Sequence, residues 1–110
     1  MIDALIGGRI HGAPAERNSA AGTRYAAAKV RVPTRAGDAL FVNVITFDET
    51  AMTALLALSD HDSVAIAGEL TPKVWTDKDG TARPSLDLVA HQVTTEYHVS
   101  RKRQAVREPA

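Results

Sequence analysis

Apolar and polar residues alternate with period two along most of this 110-residue chain, the pattern of strands with one buried face. In MIDALIGGRI, Ile2, Ala4, Ile6 and Ile10 share one parity, and Gly8 among them predicts a bend or bulge. HGAPAERNSAAG is rich in turn formers and predicts a connection. TRYAAAKVRVP alternates again, with Ala26, Ala28, Val30 and Val32 on one face and Tyr25, Ala27, Lys29 and Arg31 on the other. Pro33 ends that strand, and TRAGD makes a short link to ALFVNVITF, the run richest in β-branched and aromatic residues. DETAMTALLALSD changes period: Asp48 suits an N-cap, Glu49 a first turn, and Ala51, Met52, Leu55 and Leu58 recur at helical spacing. Period two returns in HDSVAIAGELTPKVW, with Val64, Ile66, Gly68 and Leu70 inward. TDKDG is a turn, and TARPSLDLVAHQV completes a hairpin with Leu86, Leu88 and Ala90 on one face. Past Tyr97 the apolar period stops, so residues 1–99 are read as one domain and residues 100–110 as a basic, flexible tail.

The predicted order is three strands, a short helix, then two strands. Mainly β, with one helix between the third and fourth of five strands, is the order of an OB-fold, a five-stranded Greek-key barrel. Glycines at 8 and 68 suit strands that curve to close it. Parity then sorts the faces. In the fourth strand Val64, Ile66, Leu70 and Val74 share the core parity, and Lys73 and Trp75 take the other. In the third, Leu40, Val42 and Val44 face the core, leaving Phe41, Asn43, Ile45 and Phe47 outside. The outer faces collect Trp75, Phe41, Phe47 and Tyr25 beside Lys73, Lys29 and Arg31. Aromatic rings that stack unpaired bases, beside cations that follow phosphates, form a single-strand binding surface. The same aromatics also suit packing against a second subunit or a loop.

Composition narrows the class. The chain has no cysteine, which excludes a disulfide scaffold and thiolate metal sites. No apolar run approaches ~18 residues, so no membrane span is expected. MIDALIGG lacks the basic and long apolar regions of a secretory signal, so a cytoplasmic protein is expected. The neutral net charge is unevenly spread: +3 over residues 1–46, −5 over 47–70, −1 over 71–100 and +3 over 101–110. A basic half beside an acidic segment leaves room for a polyanion partner.

Four motifs together resemble the bacterial single-stranded DNA-binding protein (SSB) family. ALIGGRIHGAP is similar to the family's first strand, LxGxLxxDP, with Ala13 in place of Asp. FVNVITF is similar to W/F-x-x-V-V-x-F. DSVAIAGEL is similar to GSxVxVEGxL, with Asp62 for Gly and Ala67 for Glu. WTDKDGTARPSLDLVAHQV matches the Trp, Asp-x-x-Gly and Arg spacing of the fourth-to-fifth strand hairpin and is the most specific of the four. The resemblance covers about residues 2 to 95. It implies non-catalytic, sequence-tolerant binding of single-stranded DNA in replication, recombination or repair, by a nucleoid-associated dimer or homotetramer without a cofactor. It places base stacking on Trp75, Phe47 and Phe41. Phosphate contacts fall to Lys73, Lys29, Arg31, Arg83, which matches the family's Arg after the turn, and Arg9.

Two departures matter. The family's long basic hairpin between the second and third strands shrinks to PTRAGD, and Asn43 replaces a family Arg. Both remove phosphate contacts and imply weaker or shorter-site binding with less salt dependence. The chain ends SRKRQAVREPA, not in the family's acidic, hydrophobic-tipped peptide, so partner recruitment through such a tip is not expected. The basic tail reads as a solvated terminus or as an arm adding phosphate contacts.

Other chemistry finds little purchase. His11, His61, His91 and His98 show no metal-site spacing. DKDG is similar to a calcium loop only in its aspartates. No G-x-S-x-G or Gly-rich phosphate loop is present, so no catalytic or metal residue is assigned. The alternatives are a primosomal replication protein of the same fold and an OB protein-interaction module with little DNA binding.

Overall fold

A computed structural model describes residues 1–95. Its elements are β1 (Asp3–Asn18), β2 (Arg24–Pro33), β3 (Ala39–Thr46), α1 (Glu49–Leu56), β4 (Ser63–Thr76) and β5 (Ala82–Thr95). The strands close into a barrel in the order β1-β2-β3-β5-β4. Every neighbouring pair is antiparallel except β3 with β5, which run parallel. This is the mainly β OB-type barrel with its helix between β3 and β4. The expected tail at 100–110, the domain end at 99 and His98 lie outside the described residues.

The core follows parity. Ile10, Val30, Val42, Val44, Ile66 and Leu88 are buried and meet Met52 and Leu55 from α1. Thr46 continues the inward parity of β3 and is fully buried. Its hydroxyl donates to the Ala90 carbonyl at 2.9 Å, so the polar group is satisfied. The helix starts where expected: the Asp48 side chain accepts from the Ala51 backbone N–H at 2.8 Å. Leu58 lies past the helix and packs on the core's edge.

Gly68 shows why a curved strand needs a missing side chain. A Cβ there would stand 2.2 Å from the Val89 carbonyl oxygen. Opposite it, His91 is an extra residue in β5, since Gly68 pairs with Ala90 while Ala67 pairs with Gln92. This bulge shifts the parity of β5, so Val93 joins Leu88 and Ala90 in the core.

Two expectations change. HGAPAERN is not a connection: β1 runs on to Asn18, and the link to β2 is only the turn around Ser19–Thr23. The ladder absorbs Gly12, Ala13 and Pro14 in an irregularity between His11 and Ala15, where Pro14 is asked for no ladder hydrogen bond. Pairing then resumes from Ala15↔Ala27 to Asn18↔Arg24. Val74 has the parity of the core yet is 73% exposed. The ends of β4 and β5 run past the barrel as a two-stranded ribbon, where no core remains for either face.

Candidate nucleic-acid interface

The ribbon that carries Trp75 is held by its turn. Gly80, at φ +80°, takes the left-handed position, and its N–H donates to the Asp77 carbonyl at 3.0 Å. One oxygen of the Asp77 carboxylate accepts from the N–H groups of Asp79 and Thr81, both at 3.0 Å. The other accepts from Arg83 Nε at 2.6 Å. Arg83 foremost, then the Thr81 N–H, holds this carboxyl below the usual carboxylate range. Trp75 pairs across the ribbon with Arg83 and is half exposed.

Further down the same face, Lys73 Nζ lies 2.6 Å from an Asp87 carboxylate oxygen. Asn43 Nδ2 donates to the other oxygen at 3.2 Å and to Ser85 Oγ at 3.4 Å. Lys73 first, then Asn43, lowers the Asp87 carboxyl below its ordinary range. This cluster bridges β4, β5 and β3, because Asn43 pairs with Asp87 across the parallel seam.

The outer face of β1, β2 and β3 continues the band. Arg9 pairs with Arg31, His11 with Lys29, Arg31 with Phe41 and Lys29 with Asn43. Phe41 is 42% exposed, with the His11 ring 5.0 Å away at 69° and Lys29 Nζ 5.8 Å from its centroid. Among the described residues, no carboxylate reaches Lys29 or Arg31. Arg9 Nη1 donates to the His61 carbonyl at 2.9 Å, which fixes its direction without neutralising it. Phe47 lies six residues beyond Phe41, about 20 Å along an extended chain. There its ring meets Tyr25 at 5.7 Å.

All eight residues expected at the site therefore lie on outer surfaces, in three groups. Arg9, Lys29, Arg31 and Phe41 form a cationic, aromatic patch. Lys73, Trp75 and Arg83 line the ribbon, with both cations held by aspartates. Phe47 stands apart with Tyr25. His11 and Asp87 were not foreseen as members. His11 shares the outward parity of Arg9, and Asp87 that of Arg83 and Ser85, so parity could have nominated both; only the cross-strand register shows what they touch.

The single-strand binding protein family model matches residues 1–95. The chain belongs to that family. No curated protein sequence matches it. Among solved structures it resembles the small single-stranded DNA-binding protein from Streptomyces coelicolor, with a TM-score of 0.68 at 22% identity, covering 86% of this chain and 93% of that one. It also resembles the mitochondrial single-stranded DNA-binding protein Rim1 from S. cerevisiae, with a TM-score of 0.66 at 23% identity and the same two coverages. At such identities these likenesses speak for the fold. Within this single-strand binding chain, PTRAGD closes as a minimal hairpin: Thr34 N–H donates to the Asp38 carbonyl at 2.9 Å, and Gly37 N–H to the Thr34 carbonyl at 3.1 Å. Among the described residues, no long arm folds over Phe41.

Proposed function

We propose that this single-strand binding protein holds single-stranded DNA across the outer band of β1, β2, β3 and the ribbon, without catalysis or base-sequence readout. The observation that carries the reading is Phe41: an exposed ring beside Lys29 and Arg31, two cations with no carboxylate partner among the described residues. Bases stack on Phe41, Trp75 and Phe47 while phosphates meet Lys29, Arg31 and Arg9. Lys73 and Arg83 join by exchanging an aspartate for a phosphate. The family match favours this reading over a primosomal protein or a pure interaction module.

Replication, recombination or repair in the cytoplasm, at the nucleoid, is the setting this activity fits. No described helix is long and apolar enough to cross a membrane. A homo-oligomer fits the exposed apolar residues of the barrel, Leu5, 75% exposed and paired with Ala67, and Val89, 37% exposed and paired with Glu69. Light scattering is expected to give a dimer or tetramer mass.

The single tryptophan tests the binding reading. Titration with a dT oligomer at low salt is expected to quench Trp75 emission, and added salt to weaken binding. Unchanged emission together with no mobility shift at low salt would leave the interaction module as the better account.

A further inference from the structure

We propose that Asp87 masks Lys73 from nucleic-acid phosphate and so sets how strongly the band grips a single strand. The proposal rests on the single-strand reading above. Asp87 sits mid-band, as Cα partner of Asn43 on β3 and Thr71 on β4. Its two oxygens accept from an ammonium at 2.6 Å and an amide at 3.2 Å. That is how a DNA phosphate would be held, so the chain supplies its own anion at this point.

A strand reaching Lys73 must take the ammonium from Asp87 and then lie beside an uncompensated carboxylate. Little is gained in the exchange, since one anion replaces another and few counterions leave. The pair is exposed, so the mask weakens the contact without abolishing it. Lys29 and Arg31, two strands away, carry no such mask among the described residues. The lowered carboxyl of Asp87 keeps the masking charge in place throughout the neutral range. Asn43 steadies the mask through its amide, where a cation would have drawn Asp87 from Lys73.

The test is a double-mutant cycle on the full chain with a dT oligomer over a salt series, using wild type, Asp87→Asn, Lys73→Gln and the double variant. Asp87→Asn is expected to bind about three- to fivefold tighter at low salt, with a log K against log salt slope steeper by about 0.7. Lys73→Gln is expected to weaken wild type by less than the Asp87→Asn gain and to cancel that whole gain in the Asp87→Asn background. Asp87→Ser, which removes the charge without introducing an amide, is expected to show the same gain. Thermal melts establish that each variant is folded. Equal or weaker binding by Asp87→Asn and Asp87→Ser would overturn the mask and make Asp87 a positioning residue for Lys73. Additive effects in the cycle would overturn it too. If wild type binds and the cycle is additive, only the mask fails; if neither wild type nor any variant binds at low salt, the single-strand reading fails with it.

Discussion

The ribbon at the ends of β4 and β5 and the outer face of β1, β2 and β3 use similar side chains in opposite electrostatic states. On the ribbon, Lys73 and Arg83 each touch an aspartate at 2.6 Å. On the sheet face, Lys29 and Arg31 have no carboxylate partner among the described residues, and Lys29 lies over Phe41. Counting these four cations alone would rank the two regions as equals. Counting unneutralised cations assigns phosphate attraction to the sheet face and leaves the ribbon to contribute mainly through Trp75. The difference arises from support. A ribbon projecting past the core has no packing to hold it, so its polar contacts also serve to fix its shape. The sheet face is held from behind by Val30, Val42 and Val44 and leaves Lys29 and Arg31 without a carboxylate partner among the described residues.

The largest expected effect breaks the sheet face alone. A Cβ at Gly8 would lie 2.3 Å from the Arg31 carbonyl oxygen, which is backbone and cannot swing aside. Gly8→Ala is therefore expected to cost about 1–3 kcal/mol or more by overpacking. The check is a lowered melting temperature together with loss of DNA binding. Trp75→Ala removes a stacking platform and is expected to weaken binding roughly 5- to 150-fold, from about 1–3 kcal/mol per stacked base. Its salt slope should stay that of wild type, because no charge is lost. Replacing Lys29 and Arg31 together by Gln should do the reverse, flattening the slope by about 1.4 for two lost single-strand phosphate contacts. If Lys73→Gln alone flattens the wild-type slope as much per residue, the contrast between the regions collapses.

The smallest expected effect is on the ribbon's shape in acid. Asp77 and Asp87 have carboxyls lowered in the folded chain by Arg83 and Lys73 respectively. A lowered folded value means the unfolded chain binds the proton more tightly. Their stabilising contribution is therefore complete above the ordinary carboxylate range and is lost as pH falls through the depressed folded values. Both pairs are exposed, so the shift is small and local. Chemical-shift or amide-exchange titration should show the Asp77–Thr81 turn loosening in acid before the barrel core. A core that loosens first, or together with the turn, would contradict this order.

Parity made the barrel legible. Ala26, Val30, Val42, Val44, Ile66 and Leu88 face inward as their spacing predicts, because a half-buried strand leaves its apolar residues only one side. Asp48 and the TRAGD and TDKDG turns were legible for local reasons of capping and turn chemistry. The reading failed where pairing with a distant strand outweighed local composition. HGAPAERN has the residues of a loop, yet Arg24–Ala27 supply a partner strand that holds its second half extended. Val74 has core parity, but parity does not tell where the barrel stops. Trp75 lies outside as expected, although what exposes it is the end of the barrel as much as its parity. The eight candidate residues were found from outward position and motif. Their division into masked and unmasked cations depends on which residues of β3, β4 and β5 come into register, which no local pattern encodes.

The parallel seam between β3 and β5 also governs how the molecule comes into being. Val42 meets Leu86 and Thr46 reaches Ala90, partners 44 residues apart. Until β5 has been synthesised, β3 and β4 each expose an unpaired edge, the former along the apolar run ALFVNVITF itself. Local hairpins can form early, but closure must wait for the last strand and for a loop spanning much of the chain. The strand that finishes the barrel therefore also shields a nascent chain from pairing with its neighbours.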